Sequence, residues 1–280
     1  LGYPQDLDLA DLVSRAVDDA GYLPMDTPAN RDAVIRSWEG LIAEADHRAG
    51  EYFDLRPSAD VTVVGGLGGE FYVPAPEDGS QPCEFHVGQA VPSQAKYMMR
   101  TITYHEAVPG HHYQIALAHE LRLPQFRRDL PVRAFTEGWA VYAERLGWEM
   151  GLYESDRYGN FGRLLCDLLR AARLVADTGI HARHWTRDQA REYLDRTAGS
   201  APGTFDEEVD RFIVAPAVAI GNEVALLEIL EMRSRAQSTL SDAFDIKEFH
   251  NAVIGNGSVP LEVLDAVVDD LIDDAATADQ

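Results

Sequence analysis

The chain has 280 residues, 46% of them hydrophobic and 25% charged, which is enough to bury a large core and is normal for a soluble globular protein. Lys and Arg total 24 against 47 Asp and Glu, a formal charge of −23 that argues against nucleic acid or an anionic membrane as partner. Cys83 and Cys166 lie far apart and form no CxxC pair, so neither a thiolate zinc site nor a disulfide framework is indicated.

In chain order, residues 7–20 and 30–50 carry helical periodicity, with Val34, Trp38, Leu41 and Ile42 recurring on one face of the second stretch. They define an N-terminal helical segment, 1–55, ahead of a larger region, 56–280, the two expected to form one compact unit. Residues 60–88 differ in character. The β-prone runs Val61–Val64, Glu70–Val73 and Glu84–Val87 are separated by the glycines of 65–69 and by Asp78-Gly79-Ser80, which predicts a small β-hairpin or meander. The glycine run misses the GxGxxG spacing and no helical pattern follows it, so it is not read as a nucleotide loop. From Ser93 onward the chain reads as almost wholly helical, over 94–108, 111–121, 132–150, 157–178, 186–196, 205–239 and 260–275. Pro124, Pro131, Pro216 and Pro260 punctuate these stretches, and the acidic tail after Asp269 is expected to fray. No run is apolar enough to span a membrane and no signal-peptide pattern opens the chain at Leu1, so the expected location is cytoplasmic.

The segment Tyr104-His-Glu-Ala-Val-Pro-Gly-His-His-Tyr-Gln114 is the most informative. A His-Glu pair followed by a second His is how a helix presents two zinc ligands and a general base, but the usual H-E-x-x-H spacing is not met. Residues six apart on a regular helix point roughly 120° away from each other, so His105 and His111 would not share an ion there. His105 and His112 would share a face but stand about 10 Å apart along the axis. Pro109-Gly110 can bulge the helix and return His111 to the face of His105, because proline removes a donor and glycine tolerates unusual dihedrals. A third protein ligand is then expected downstream. In the apolar helix Phe135-Thr-Glu-Gly-Trp-Ala-Val-Tyr-Ala-Glu144, the two acids lie seven apart on one face and need partners. Glu137 is assigned as the ligand and Glu144 as the acid that orients a histidine from behind.

These motifs, with Asp177-Thr-Gly-Ile-His181 and Phe249-His-Asn-Ala-Val-Ile-Gly-Asn-Gly257, resemble the signatures of the DUF885 family in order from about residue 70 to 270. That family resembles helical zinc metallopeptidases of the gluzincin type. The resemblance implies a mainly α, gluzincin-type domain over 56–280, with His105 and His111 as metal ligands, Glu106 as base and Glu137 as third ligand; His112 is the fallback for His111. Two departures stand out. The family pattern Pro-Gly-Gln-Ala-x-x-Tyr-x-x-Gly reads here Pro216-Ala-Val-Ala-Ile-Gly-Asn-Glu-Val-Ala225, placing Val218, Asn222 and Ala225 at the Gln, Tyr and final Gly positions. Family members are also commonly about twice this length, and the chain resembles their C-terminal half.

The expected chemistry is hydrolysis of a peptide or small amide substrate by zinc (Zn2+) and water, with Glu106 moving the proton. His181, beyond an apolar helix and near a glycine, is the leading candidate for the oxyanion donor, against a reading as a helix-end histidine; His250 is next. Arg170 and Arg173 would either grip a terminal carboxylate or pair with acids of this chain. The edge of the hairpin, Glu70–Val73 or Glu84–Val87, would pair with a substrate backbone or simply cover the core. His119-Glu120 reads as surface. The alternatives are a degenerate metal-binding or interaction module, and a metal-dependent hydrolase of an ester or lactone. Nothing in the sequence marks an oligomeric interface.

Overall fold

The structure is a computed structural model describing residues 1–76 and 80–278. The chain runs α1 (Leu9–Ala20), β1 (Tyr22–Pro24), α2 (Pro28–Ala49), β2 (Val61–Gly66), β3 (Phe71–Val73), β4 (Cys83–Gly88), β5 (Ser93–Ala95), α3 (Lys96–Glu106), α4 (His111–Glu120) and α5 (Gln125–Asp129). It continues through α6 (Arg133–Glu149), α7 (Arg157–Arg183), α8 (Arg187–Ala198), α9 (Asp206–Val214), α10 (Gly221–Leu240), α11 (Ile246–Ile254) and α12 (Leu261–Ala278). The protein is thus mainly helical with two small sheets. Helix starts follow local chemistry. Asp8, Thr27 and Asp156 each accept a bond from an otherwise orphan N–H of the first turn, and Thr186 with Gln189 closes a reciprocal capping box.

Three expectations change. The strands form no meander: the order is β2-β4-β3, with β2 parallel to β4 and β3 antiparallel to it, while β5 pairs with β1. A parallel pair needs a crossover, and the segment carrying β3 supplies it, which puts β3 at the edge and β4 in the middle. Of the Asp78-Gly79-Ser80 separator, Asp78 and Gly79 lie outside the described residues. The stretch 205–239 is two helices, α9 and α10, divided where Ala217 adopts a left-handed φ of 68° that helix cannot continue through. The acidic tail does not fray after Asp269, since Leu264, Val268 and Ile272 bury against the core and carry α12 to Ala278.

One core spans the N-terminal segment and the rest. Trp38 of α2, fully buried, meets Phe85 of β4 edge-on at 5.3 Å, within a cluster holding Tyr104, Trp139, Tyr142, Ile229 and Phe249. A smaller cluster joins α7, α8 and α9 through Ala176, Leu194, Val209 and Phe212. Helices α6 and α10 pack closely, so that a Cβ on Gly138 would lie 2.3 Å from the Ala225 Cβ. Small residues at that crossing bring the Glu137 end of α6 beside the start of α10. No helix among the described residues is long and apolar enough to cross a membrane.

Candidate metal centre

The interval between the two histidines is a break and not a bulge. Helix α3 ends at Glu106, Ala107–Gly110 form a tight connection, and α4 starts at His111. Gly110 is obligatory here for a steric reason: a Cβ would lie 1.9 Å from the His105 carbonyl oxygen and 2.4 Å from that of Tyr104. The chain therefore folds directly back over the end of α3. The Trp139 indole N–H donates to the Pro109 carbonyl at 2.9 Å, fastening the turn to α6 five residues before Glu144 and two after Glu137. The result places the His105 and His111 rings 4.9 Å apart, edge to face.

His105, Glu106 and His111 each offer a ligand atom within 4.8 Å of the others. Glu137 approaches from α6, its Oε2 at 3.8 Å from His105 Nε2. Behind the ring, His105 Nδ1–H donates to Glu144 Oε1 at 2.7 Å, which leaves Nε2 for the cleft. Glu144 is fully buried and is gripped from the other side by the Arg170 guanidinium, Nη1 to Oε2 at 2.8 Å and Nη2 to Oε1. Asn222 Nδ2 donates to Glu137 Oε2 at 3.2 Å, and the Tyr72 N–H of β3 donates to Glu106 Oε2 at 3.0 Å. Of these residues His105, Glu106, His111, Glu137 and Tyr72 line a cleft of about 430 Å³, together with Phe71, Gln114 and Thr136, while Glu144, Arg170 and Asn222 stand behind it. The donor set suits a divalent cation of the zinc class, being two imidazoles and one or two carboxylates at one mouth. One further observation fits: His111 Nδ1 is buried with no hydrogen-bond partner among the described residues, an arrangement that protein interiors rarely leave unanswered.

The electrostatics follow from burial. Burial lifts the Glu106 carboxyl to about 7; His105 and the Tyr72 N–H oppose the rise and Glu137 and Glu144 add to it. A cation held nearby would draw it down again. Burial, with His105 beside it, drives His111 down to about 3, so that it is neutral and able to coordinate at ordinary pH. His105 goes the other way. Its burial disfavours charge, but the Glu144 carboxylate outweighs that and holds His105 above the usual imidazole value. Glu144 is held below the usual range, because Arg170 and His105 overcome its desolvation. A cation at His105 Nε2 would have to displace a proton there.

The other residues singled out from the sequence lie elsewhere. His112 turns away from His105: its Nδ1 is hydrogen-bonded to the Tyr72 hydroxyl at 3.2 Å, and it lines a different hollow of about 530 Å³ with Asp46, Arg56 and Tyr113. His181, expected as an oxyanion donor, donates from Nε2 to the Phe212 carbonyl at 2.9 Å and locks α7 to α9. His250, also expected near the reaction, is fully buried against Phe53 with both nitrogens engaged. Its Nδ1–H donates to the Tyr52 carbonyl at 2.9 Å, and its Nε2 accepts from the Tyr142 hydroxyl at 2.8 Å, which in turn accepts from Arg233. Neither ring lines the cleft. Glu120 is exposed, as expected, and accepts the N–H groups of Ser58 and Ala59. Of the two candidate strands, β4 is central and only β3 offers an edge. Sequence reasoning missed the contact of Tyr72 with Glu106 and that of Asn222 with Glu137. The signal for the second was present in the departure at position 222.

Fold and site together define a mainly helical protein with a half-buried His/Glu cluster that could hold a metal ion. The chain belongs to the family described as "Bacterial protein of unknown function (DUF885)", whose profile matches residues 2–268. Among solved structures it is similar to "the putative lipoprotein from Colwellia psychrerythraea", at 36% identity and a TM-score of 0.87 over 95% of this chain and 47% of that one. It shares its fold with "a putative lipoprotein of unknown function from Shewanella oneidensis", at 18% identity and a TM-score of 0.75 over 92% of this chain and 53% of that one. The chain spans about half the length of these structures. No curated protein matches it.

Proposed function

We propose that the cleft is the active site of a zinc-dependent hydrolase of gluzincin type that cleaves peptide or small amide substrates. The observation that carries this reading is the convergence of His105, Glu106 and His111 within 4.8 Å, with Glu137 beside His105 and Glu144 holding that ring from behind. His105, His111 and Glu137 would hold the ion, which when bound supplies Lewis-acid activation of water and of the scissile carbonyl. Glu106, held by the Tyr72 N–H, takes the proton from water and returns it to the leaving amine. The outer edge of β3, lying beside Glu106, supports an extended peptide backbone as the ligand. Asn222 is the side-chain amide nearest the reacting groups on the α10 side, and it takes the place of His181 and His250 as the donor to be tested.

Asn222 also favours a second reading, a metal-binding module without turnover, since its amide is already committed to Glu137. The descriptions of the two solved structures as lipoproteins support an extracytoplasmic setting for either reading over the cytoplasmic one suggested by the sequence. The deciding experiment is metal analysis of the purified protein, followed by a chelator-sensitive assay on a mixed peptide library. Zinc with cleavage supports the hydrolase, and zinc without cleavage of peptides, esters or lactones supports the module. Absence of bound zinc after metal loading sinks both.

A further inference from the structure

Glu144 has the most deeply buried carboxylate of any ion pair among the described residues, with a side-chain exposure of 1%. Its partner Arg170 comes from α7, a helix that contributes no residue to the cleft. Burying two charges costs several kcal/mol before their attraction is counted, and a pair of apolar side chains would join α6 and α7 at least as well. The geometry suggests what the pair is for. Arg170 places one nitrogen on each carboxylate oxygen, a fork that fixes the plane of the carboxylate and its rotation about the last side-chain bond. With that plane fixed, Glu144 Oε1 has one direction left for a further donor, and His105 Nδ1–H occupies it at 2.7 Å.

The arrangement continues outward along α7. Asp167 Oδ1 lies 3.6 Å from Arg170 Nη1, and Arg163 Nη1 is 2.8 Å from Asp167 Oδ2, so charges of alternating sign run at three- and four-residue spacing. Arg163 in turn lies over the Trp148 ring, 5.8 Å from its centre. The sequence places these residues on one helical face, and the fold turns that face toward Glu144. His111 has no such support, since its Nδ1 has no partner among the described residues. Of the two imidazoles, one is braced and the other is free to adjust.

We propose that Arg170 is a positioning residue of the metal centre, acting through Glu144 to set the orientation and tautomer of His105. The inference about zinc rests on the function proposed above; the inference about His105 does not, and two readouts separate them. The first is the His105 Nδ1–H resonance in metal-free protein labelled with 15N at histidine. Glu144→Gln should shift it strongly upfield or remove it, Arg170→Met should move it in the same direction, and Arg170→Lys, which keeps charge without the fork, should fall between wild type and Arg170→Met. The second is zinc affinity by competition with a chromophoric chelator. Arg170→Met should weaken binding about tenfold, the lower end of the range for partners behind a metal ligand. In the Glu144→Gln background the same substitution should change affinity less than twofold, because its only route of action is gone. The double variant also removes the buried charge that could unfold Arg170→Met alone.

An unchanged His105 resonance in folded Arg170→Met overturns the proposal, and so does an equal effect of Arg170→Met with and without Glu144. Failure of the wild type to bind zinc would refute the metal reading, while the proton signature would still judge Arg170.

Discussion

Replacing Gly110 by alanine tests the central feature of the site, the fold-back between α3 and α4. The new Cβ would lie 1.9 Å from the His105 carbonyl oxygen, roughly 1.5 Å short of ordinary contact. Overpacking of this kind costs about 1–3 kcal/mol, and the obstacle here is backbone, with no flexible side chain to yield. The metal-free protein can relieve much of the strain by letting α4 swing outward. Zinc binding cannot, because ligand distances are defined to about 0.2 Å and His111 has to return to His105. If some 3 kcal/mol falls on the bound state, zinc affinity drops ~100-fold. The assay is chelator competition, with urea unfolding of the metal-free protein alongside. Gly40→Ala is the control, since a Cβ there meets nothing within 4 Å on an exposed face of α2. That change should add about 0.5–1 kcal/mol of stability and leave zinc affinity alone. Gly110→Ala protein that binds zinc within threefold of wild type would refute the argument that the fold-back makes the site.

Glu106→Gln should retain zinc and lower hydrolysis at least ~100-fold, the smaller contribution expected of a general base; a variant with wild-type turnover would remove Glu106 from that role. Trp139→Phe leaves the buried Pro109 carbonyl without its donor and should cost about 1–3 kcal/mol in urea unfolding, with no loss if that bond is immaterial. His250, pushed by burial to about 3, stays neutral in the folded state, whereas the unfolded chain takes up a proton below about 6.5. Its contribution is therefore complete above pH 6.5 and is lost as pH falls toward 3, amounting to about 2 kcal/mol by pH 5. Measured in chelator, His250→Gln should be less stable than wild type at pH 7.5, and the gap should narrow by about that amount at pH 5; a constant gap would contradict the buried neutral histidine.

What the sequence conveyed well was everything set by local spacing. The helices follow from apolar residues three and four apart, and the Pro109-Gly110 interruption pointed to the place where two histidines meet. It was less able to say which side chain answers which across the fold. His181 and His250 sit in motifs as distinctive as the metal segment, yet packing decides their roles. Phe212 O and Tyr52 O claim their ring protons from elements 31 and 198 residues away in sequence. The strand order was hidden for a related reason. Short β-prone runs in succession suggest a meander, and only the tertiary pairing of β2 with β4 pushes β3 to the edge where its Tyr72 N–H reaches Glu106.

Position 222 shows how a sequence departure and a structural contact complete each other. The resemblance marked Asn222 as unusual because the family pattern has tyrosine there, and a short amide cannot place a donor where a longer phenol would. The structure puts the Asn222 amide on the Glu137 carboxylate at 3.2 Å, in a crossing so tight that Gly138 and Ala225 nearly touch. A phenol is longer and bulkier than this amide, so Asn222→Tyr has to direct its ring past Glu137 into the cleft or push α10 from α6. In the first case hydrolysis should rise several-fold with zinc affinity held, because Glu137 keeps its charge and gains freedom to bind. In the second, urea stability should fall by about 1–3 kcal/mol and zinc affinity with it. Unchanged hydrolysis in a stable, zinc-loaded Asn222→Tyr protein would mean that the missing phenol is not what separates this chain from turnover.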